Sequence, residues 1–230
     1  MIKENLAAIE EKIKKAAEKS GRKREDILLL GVTKTIDTER IGELMALGVT
    51  ELGENKVQEL CEKYEVIGDR AQWHLIGHLQ TNKVKYIIDK VKLIHSADSV
   101  RLVKEINSRA EKNGKVQDIL IEINIGNEES KSGIKKEETF ELLDEIAGFK
   151  NIFVKGLMTV APFVEDPEEN RDLFKEMFKL FIDIRAKKRD NVSMEFLSMG
   201  MTNDYEVAIE EGANIVRIGT GIFGARNYNK

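Results

Sequence analysis

The sequence predicts a closed (β/α)8 barrel of the TIM type with an extra N-terminal helix, residues 1–230 forming a single domain. Three observations carry this. Eight short apolar runs recur along the 230 residues, and amphipathic, charge-rich segments lie between them. Such alternation argues for parallel βαβ units, and eight units in this length approach the roughly 250 residues of an ordinary barrel. Finally, no linker or second composition interrupts the pattern: the two prolines, Pro162 and Pro167, both follow the sixth run. An open doubly wound sheet, the alternative, usually has fewer strands per domain and a switch point.

The elements follow in order. Ile2, Leu6, Ile9, Ile13 and Ala16 share one helical face, and Gly21 can end that helix. The predicted strands are Ile27–Val32, Thr50–Leu52, Ala71–Ile76, Lys92–His95, Gln117–Ile125, Ile152–Val160, Met194–Met199 and Asn214–Ile218. Helical stripes run through Ile41, Leu44 and Met45, ended by Gly48; through Val100, Leu102, Val103 and Ile106; and through Phe140, Leu142, Leu143 and Ile146. The longest runs from Leu173 to Ile184. Asp37, Asn55, Asp98 and Asn203 stand at strand-to-helix junctions, where side chains that cap helices are favoured.

Composition narrows the function. The 41% hydrophobic and 34% charged content is that of a folded globule. A net charge of -4 with 6% aromatic residues argues against a nucleic-acid binder. The start MIKENLAAIEEKIKK is charged and has no apolar core, so no secretory signal is read there. No run approaches the ~20 apolar residues of a membrane helix. A soluble, cytoplasmic protein is expected. The lone Cys61 makes no internal disulfide and reads as a small packed thiol.

In such a barrel, chemistry gathers where strands end. The first strand ends Gly31-Val32-Thr33-Lys34-Thr35. Lys34 is either a surface lysine or an amine facing a cavity, suited to forming a Schiff base. A free lysine is neutral only about 0.04% of the time at pH 7, so burial or a neighbouring cation would be needed to activate it. After the seventh strand comes Ser198-Met199-Gly200-Met201-Thr202-Asn203-Asp204, and after the eighth Gly219-Thr220-Gly221-Ile222-Phe223-Gly224. Both turns are rich in glycine and hydroxyls, at the common phosphate site of these barrels. The alternative is two ordinary left-handed turns. Residues 219–224 also spell G-x-G-x-x-G, but a dinucleotide fingerprint opens a βαβ unit, and only six residues follow. Arg217 alternates with Ile215 and Gly219 and is expected inside the mouth. There it meets either a carboxylate, such as Glu51 or Glu122, or a ligand ring nitrogen or anion. His74 and His78 have helical zinc spacing but overlap a strand end, so they read as satisfied polar residues near the mouth, with no metal. The loop Ser130-Lys131-Ser132-Gly133 faces either cavity or solvent.

Taken together, several segments resemble one family, the pyridoxal phosphate homeostasis proteins. They are Gly31-Val32-Thr33-Lys34-Thr35; Gly53-Glu54-Asn55-Lys56-Val57-Gln58-Glu59; the run from Trp73 through His74, Gly77 and His78 to Lys83; Ser130-Lys131-Ser132-Gly133; Gly156-Leu157-Met158; Ser198-Met199-Gly200-Met201; and Arg217-Ile218-Gly219-Thr220. The resemblance spans almost the whole chain. It implies a barrel like the alanine racemase N-terminal domain, fold type III among pyridoxal 5′-phosphate (PLP) proteins. It further implies PLP held as a Schiff base on Lys34. Ser198, Met199 through its backbone, Gly219 and Thr220 would hold the phosphate, Arg217 would approach the pyridine nitrogen, and Asn55 would lie beside the cofactor. Many members have Ser at the position of Thr33 and a proline soon after Thr35. This chain has Ile36-Asp37 there, which predicts a looser exit from the first strand.

The implied role is intracellular PLP homeostasis without turnover, serving PLP-dependent apo-enzymes; a monomer is expected because no partner-supplied domain gives a reason to dimerise. The alternative on the same barrel is an amino-acid racemase, which needs proton carriers on both faces of the α-carbon. In alanine racemase a tyrosine from the C-terminal domain of the partner subunit serves the second face, and no such domain is read here. A third class, a lysine aldolase on a phosphorylated metabolite, is compatible with Lys34 and the anion site alone.

Overall fold

A computed structural model describes residues 1–126, 128 and 132–224. Ser130 and Lys131 of the polar loop lie outside the described residues. Eight parallel strands close into a barrel in sequence order: β1 (Leu28–Val32), β2 (Glu51–Glu54), β3 (Gln72–Leu75), β4 (Val91–Ala97), β5 (Gln117–Glu122), β6 (Ile152–Met158), β7 (Val192–Met201) and β8 (Ile215–Ile218). The first and last strands pair through Leu28↔Ile215 to Gly31↔Ile218, which leaves no edge.

The helices are α1 (Ile2–Lys19), α2 (Thr38–Ala46), α3 (Val57–Ile67), α4 (Val100–Lys112), α5 (Thr139–Glu145), α6 (Arg171–Ala186), α7 (Tyr205–Glu210) and α8 (Thr220–Phe223). The expected extra helix, α1, buries Ile2, Leu6, Ile9, Ile13, Ala16 and Ala17. Asn5 donates to the carbonyl of Ile222 at 3.0 Å, and Lys12 pairs with Glu206 at 3.0 Å, so α1 lies across α7 and α8. Its carbonyls are closed by N–H groups of Gly21 and Arg22, with Gly21 at φ +71°.

Alternation breaks once. The β3–β4 connection is a 3-10 segment, Thr81–Tyr86, which buries Val84. Two predicted strands end early: β5 stops at Glu122 and β6 at Met158. Beyond β5, Ile123 bridges Ile134, so the chain has left the ladder. Conversely, β7 runs two residues past the predicted end, to Met201. The junction residues also shift. Asp37 caps α2 by accepting from the Arg40 N–H at 2.9 Å, as expected. At α4, however, Ser99 accepts from Leu102 in place of Asp98. Asp204, not Asn203, closes the turn before α7 by accepting from the Met201 N–H at 2.7 Å.

Most apolar side chains pack between barrel and helices. Among the described residues, a smaller apolar cluster of Leu30, Leu93, Leu120, Met158 and Ile215 sits in the barrel interior, with Leu28, Ile76, Val160 and Phe196 against it. Barrels of this type are usually filled by layers of branched aliphatics. Here much of the axis is polar: His74, His95, Ser198, Glu122 and Arg217 are all buried.

Candidate functional site

A cavity of about 470 Å³ opens at the C-terminal ends of the strands. Lys34, Asn55, Arg217, Gly219 and Thr220 line it, joining five predicted residues from four loops or strands. Val32, Ile76, Val160, Phe163 and Met201 give it apolar flanks. A larger cleft, about 700 Å³, lies on the outer wall beside α6 and β7, remote from these residues.

Lys34 stands in a tight turn just past β1. Thr33 is buried; its N–H donates to the Gly53 carbonyl at 3.0 Å and its hydroxyl to Glu54 Oε1 at 2.6 Å. On the other side, Thr35 adopts φ +66°, and its N–H donates to Glu59. That left-handed conformation is uncommon for a β-branched residue. Beneath the turn, Lys63 Nζ bonds the Thr33 carbonyl at 2.6 Å, Glu54 at 2.6 Å and Glu59 at 2.7 Å. Burial pushes the Glu54 carboxyl up, against the pull of Lys63. The turn closes with the Ile36 N–H on the Thr33 carbonyl at 2.9 Å. The exit from β1 is therefore held by hydrogen bonds from Thr33, Thr35 and Lys63.

Asn55 does not cap α3; Lys56 holds the N-cap position. Its side chain lines the cavity instead, with Oδ1 buried and without a hydrogen-bond partner among the described residues. Gly77 permits this placement, because a Cβ there would lie 2.3 Å from the Asn55 carbonyl oxygen.

Arg217 reaches the cavity from inside the barrel. It donates to the Ser198 carbonyl, the Ser198 hydroxyl and the Thr159 carbonyl, each at 2.8 Å. Among the described residues it pairs directly with neither Glu51 nor Glu122, the two carboxylates expected from the sequence. Glu51 is taken by His74 and Lys92. Burial lowers the guanidinium pKa to about 10, with Glu122 and Asp204 opposing the shift. Arg217 thus stays cationic at neutral pH.

Ser198 and Met199 do not line the cavity. Because β7 continues to Met201, both still lie within the strand. Ser198 points into the axis, and the Met199 side chain is packed in the outer core. The hydroxyl that reaches the mouth after β7 is Thr202. It accepts from the Thr220 hydroxyl and the Gly221 N–H, both at 3.2 Å, tying the two glycine-bearing turns together. Gly200, at φ +90° near the end of β7, lets the strand pack closely on α7; a Cβ there would sit 2.6 Å from the Ala208 Cβ. His74 is not near the mouth as expected, but deep in the axis. His78 is exposed at the rim, 3.4 Å from Asp98. Among the described residues no group of three or more His, Cys, Asp or Glu side chains suits a metal ion.

The model of the alanine racemase N-terminal domain matches residues 5–227. A pyridoxal phosphate homeostasis protein of Aquifex aeolicus is 48% identical over 226 residues, covering 98% of each chain. This chain belongs to the pyridoxal phosphate homeostasis protein family. Among solved structures, PipY of Synechococcus elongatus, determined with PLP bound, superposes with a TM-score of 0.84 at 26% identity, covering 97% of this chain and all of that one. An alanine racemase of Clostridium difficile shares the fold at 18% identity and a TM-score of 0.75; this chain spans 60% of its length.

For this family member, sequence reasoning missed Thr202 and the polar axis. A signal for Thr202 was present: it is a hydroxyl in the predicted anion loop, four residues past Ser198. Placing the end of β7 correctly would have selected it.

Proposed function

We propose that this protein holds PLP covalently on Nζ of Lys34 and serves PLP homeostasis in the cytoplasm without turnover. The observation that carries this is the convergence of Lys34, Arg217 and the hydroxyl-glycine turns on one cavity. The residues fit the cofactor: Asn55 Oδ1 is a buried acceptor with no partner among the described residues, and two loops present Thr202, Gly219 and Thr220 together. PLP, when bound, supplies an electrophilic aldehyde that an amine can capture. Lys34 would be that amine, held in place by its pinned turn. Thr202, Gly219 and Thr220 would receive the phosphate, with Ser198 and Met199 supporting from within β7. Arg217 would face the pyridine nitrogen and Asn55 would lie beside the ring. PLP is what the solved PipY relative binds.

A cation at the pyridine nitrogen keeps that nitrogen unprotonated and weakens an electron sink. Racemization also needs a second proton carrier. Among the described residues, Tyr64, Tyr86 and Tyr205 all lie away from the cavity. Both points favour a carrier over a racemase. We further propose that residues 1–230 act as one domain and a monomer, with PLP-dependent apo-enzymes as recipients. No helix among the described residues is long and apolar enough to cross a membrane.

The decisive experiment is an absorbance spectrum followed by borohydride reduction and peptide mapping. We expect a yellow band and a reduced phosphopyridoxyl group on Lys34, both lost in Lys34→Ala. A colourless protein that takes up no PLP, or label on other lysines alone, would overturn the proposal.

A further inference from the structure

The polar axis of the barrel is continuous. From the mouth downward, Arg217 Nη1 lies 2.8 Å from Ser198 Oγ, and Ser198 Oγ lies 3.0 Å from His95 Nδ1. His95 Nε2 lies 2.8 Å from His74 Nδ1, and His74 Nε2 lies 2.6 Å from Glu51 Oε2. At the far end, Lys92 Nζ bonds Glu51 Oε1 at 2.6 Å. Glu51 opens β2 and Lys92 is second in β4, so the chain ends at the face opposite the mouth.

The chemistry of the two ends gives this chain a direction. A guanidinium only donates, and a carboxylate only accepts. Glu51 therefore takes the proton of His74 Nε2, which leaves His74 Nδ1 as an acceptor. His95 must then donate from Nε2 and accept at Nδ1. Ser198 donates its hydroxyl proton to His95 and accepts from Arg217. Each donor has one acceptor, and both imidazoles are neutral. With both rings neutral, as their burial favours, reversing any link would place two protons or two lone pairs face to face. We propose that Glu51, through His74, His95 and Ser198, is a positioning residue that fixes the Arg217 guanidinium at the mouth from the opposite end of the barrel.

The surroundings agree with neutral rings. The charged groups facing the pair are Arg217 above and Glu51 and Lys92 below. Burial, with His74 and Arg217, holds the His95 imidazole well below its ordinary pKa. Burial also lowers His74, against the pull of Glu51. The effect on cofactor rests on Arg217 facing bound PLP; the direction of the chain does not.

The test uses the whole protein with 15N-labelled histidine and arginine, first without cofactor. His74 and His95 should both show the neutral Nε2–H tautomer, unchanged from pH 5.5 to 8.5, with His78→Gln identifying the third ring. In Glu51→Leu, both rings should show mixed tautomers, and rotation of the Arg217 guanidinium should speed up about tenfold. Glu51→Gln, whose Oε1 still accepts from His74, should restore both readouts. PLP should then bind about tenfold more weakly to Glu51→Leu than to wild type, and near normally to Glu51→Gln. An Nδ1–H tautomer or a titrating ring in the wild type would overturn the proposal. So would a Glu51→Leu protein with unchanged tautomers and guanidinium rotation. A wild type that shows the expected tautomers but takes up no PLP would refute the PLP function alone, while the two cofactor-free readouts still support the positioning role.

Discussion

Glu122 is the last residue of β5, buried at the upper end of the axis, with Oε2 lacking a hydrogen-bond partner among the described residues. Burial, reinforced by Asp98, raises its pKa to about 7, and Arg217 only partly opposes this. An unfolded chain ionises this carboxyl near 4.5. The protonated acid therefore suits the fold. Its contribution is present below pH 4.5 and is lost as pH rises toward 7, up to ~3 kcal/mol. Glu122→Gln should stabilise the protein by at most that amount at pH 8 and by almost nothing at pH 4.5. Urea unfolding at the two pH values measures it, and an equal effect at both would refute the assignment. Gly77 offers a second residue-scale test. Gly77→Ala must displace the Asn55 backbone, at a cost of roughly 1–3 kcal/mol. PLP titration should show weaker binding if Asn55 belongs to the site.

At the scale of elements, the β1 exit turn and α3 form one unit. Lys63 comes from α3, Glu54 from the end of β2 and Thr33 from the end of β1, so one ammonium ties three elements behind Lys34. Removing one partner of a buried pair leaves an uncompensated charge, which costs roughly 3–5 kcal/mol. Lys63→Met should lower stability by about that much at pH 8. The loss should shrink in acid, where Glu54 can take a proton. Denaturation at pH 8 and pH 5 checks this, and a loss independent of pH would point to packing alone. The turn motif was legible in the chain, because Thr33, Lys34 and Thr35 follow an apolar run directly. Its support was not, because Lys63 reads as one more charge on an amphipathic helix. The same limit misplaced the β7 loop. Apolar periodicity marks a strand but not its last residue, and two residues decided whether Ser198 or Thr202 reaches the mouth.

For the whole molecule, the buried histidines make acid costly. Unfolded imidazoles take protons below about pH 6.5, whereas His74 and His95 resist them in the fold. Their contribution to stability is therefore lost as pH falls below 6.5. Glu122 acts in the opposite sense between pH 7 and 4.5 and partly masks the loss. Stability of Glu122→Gln should fall more steeply from pH 7 to 5 than that of the wild type, each uncompensated proton adding ~1.4 kcal/mol per pH unit. Parallel profiles would show that the two groups do not oppose each other. Sedimentation should give the mass of one chain at all concentrations; a stable dimer would refute the monomer.

The sequence by itself determined the eight-stranded barrel, its extra helix, and the gathering of an amine and a hydroxyl- and glycine-bearing turn at one mouth. Period, turn chemistry and strand count are local properties, and neighbouring residues encode them. Only the tertiary structure decided which hydroxyl faces the cavity, what holds Lys34 in its turn, and that Arg217 continues into a chain of protons ending at Glu51. Glu51, His74, His95 and Ser198 lie on four different strands, far apart in the sequence. They meet because closure of the barrel sets the stagger between strands, and no single segment records that stagger.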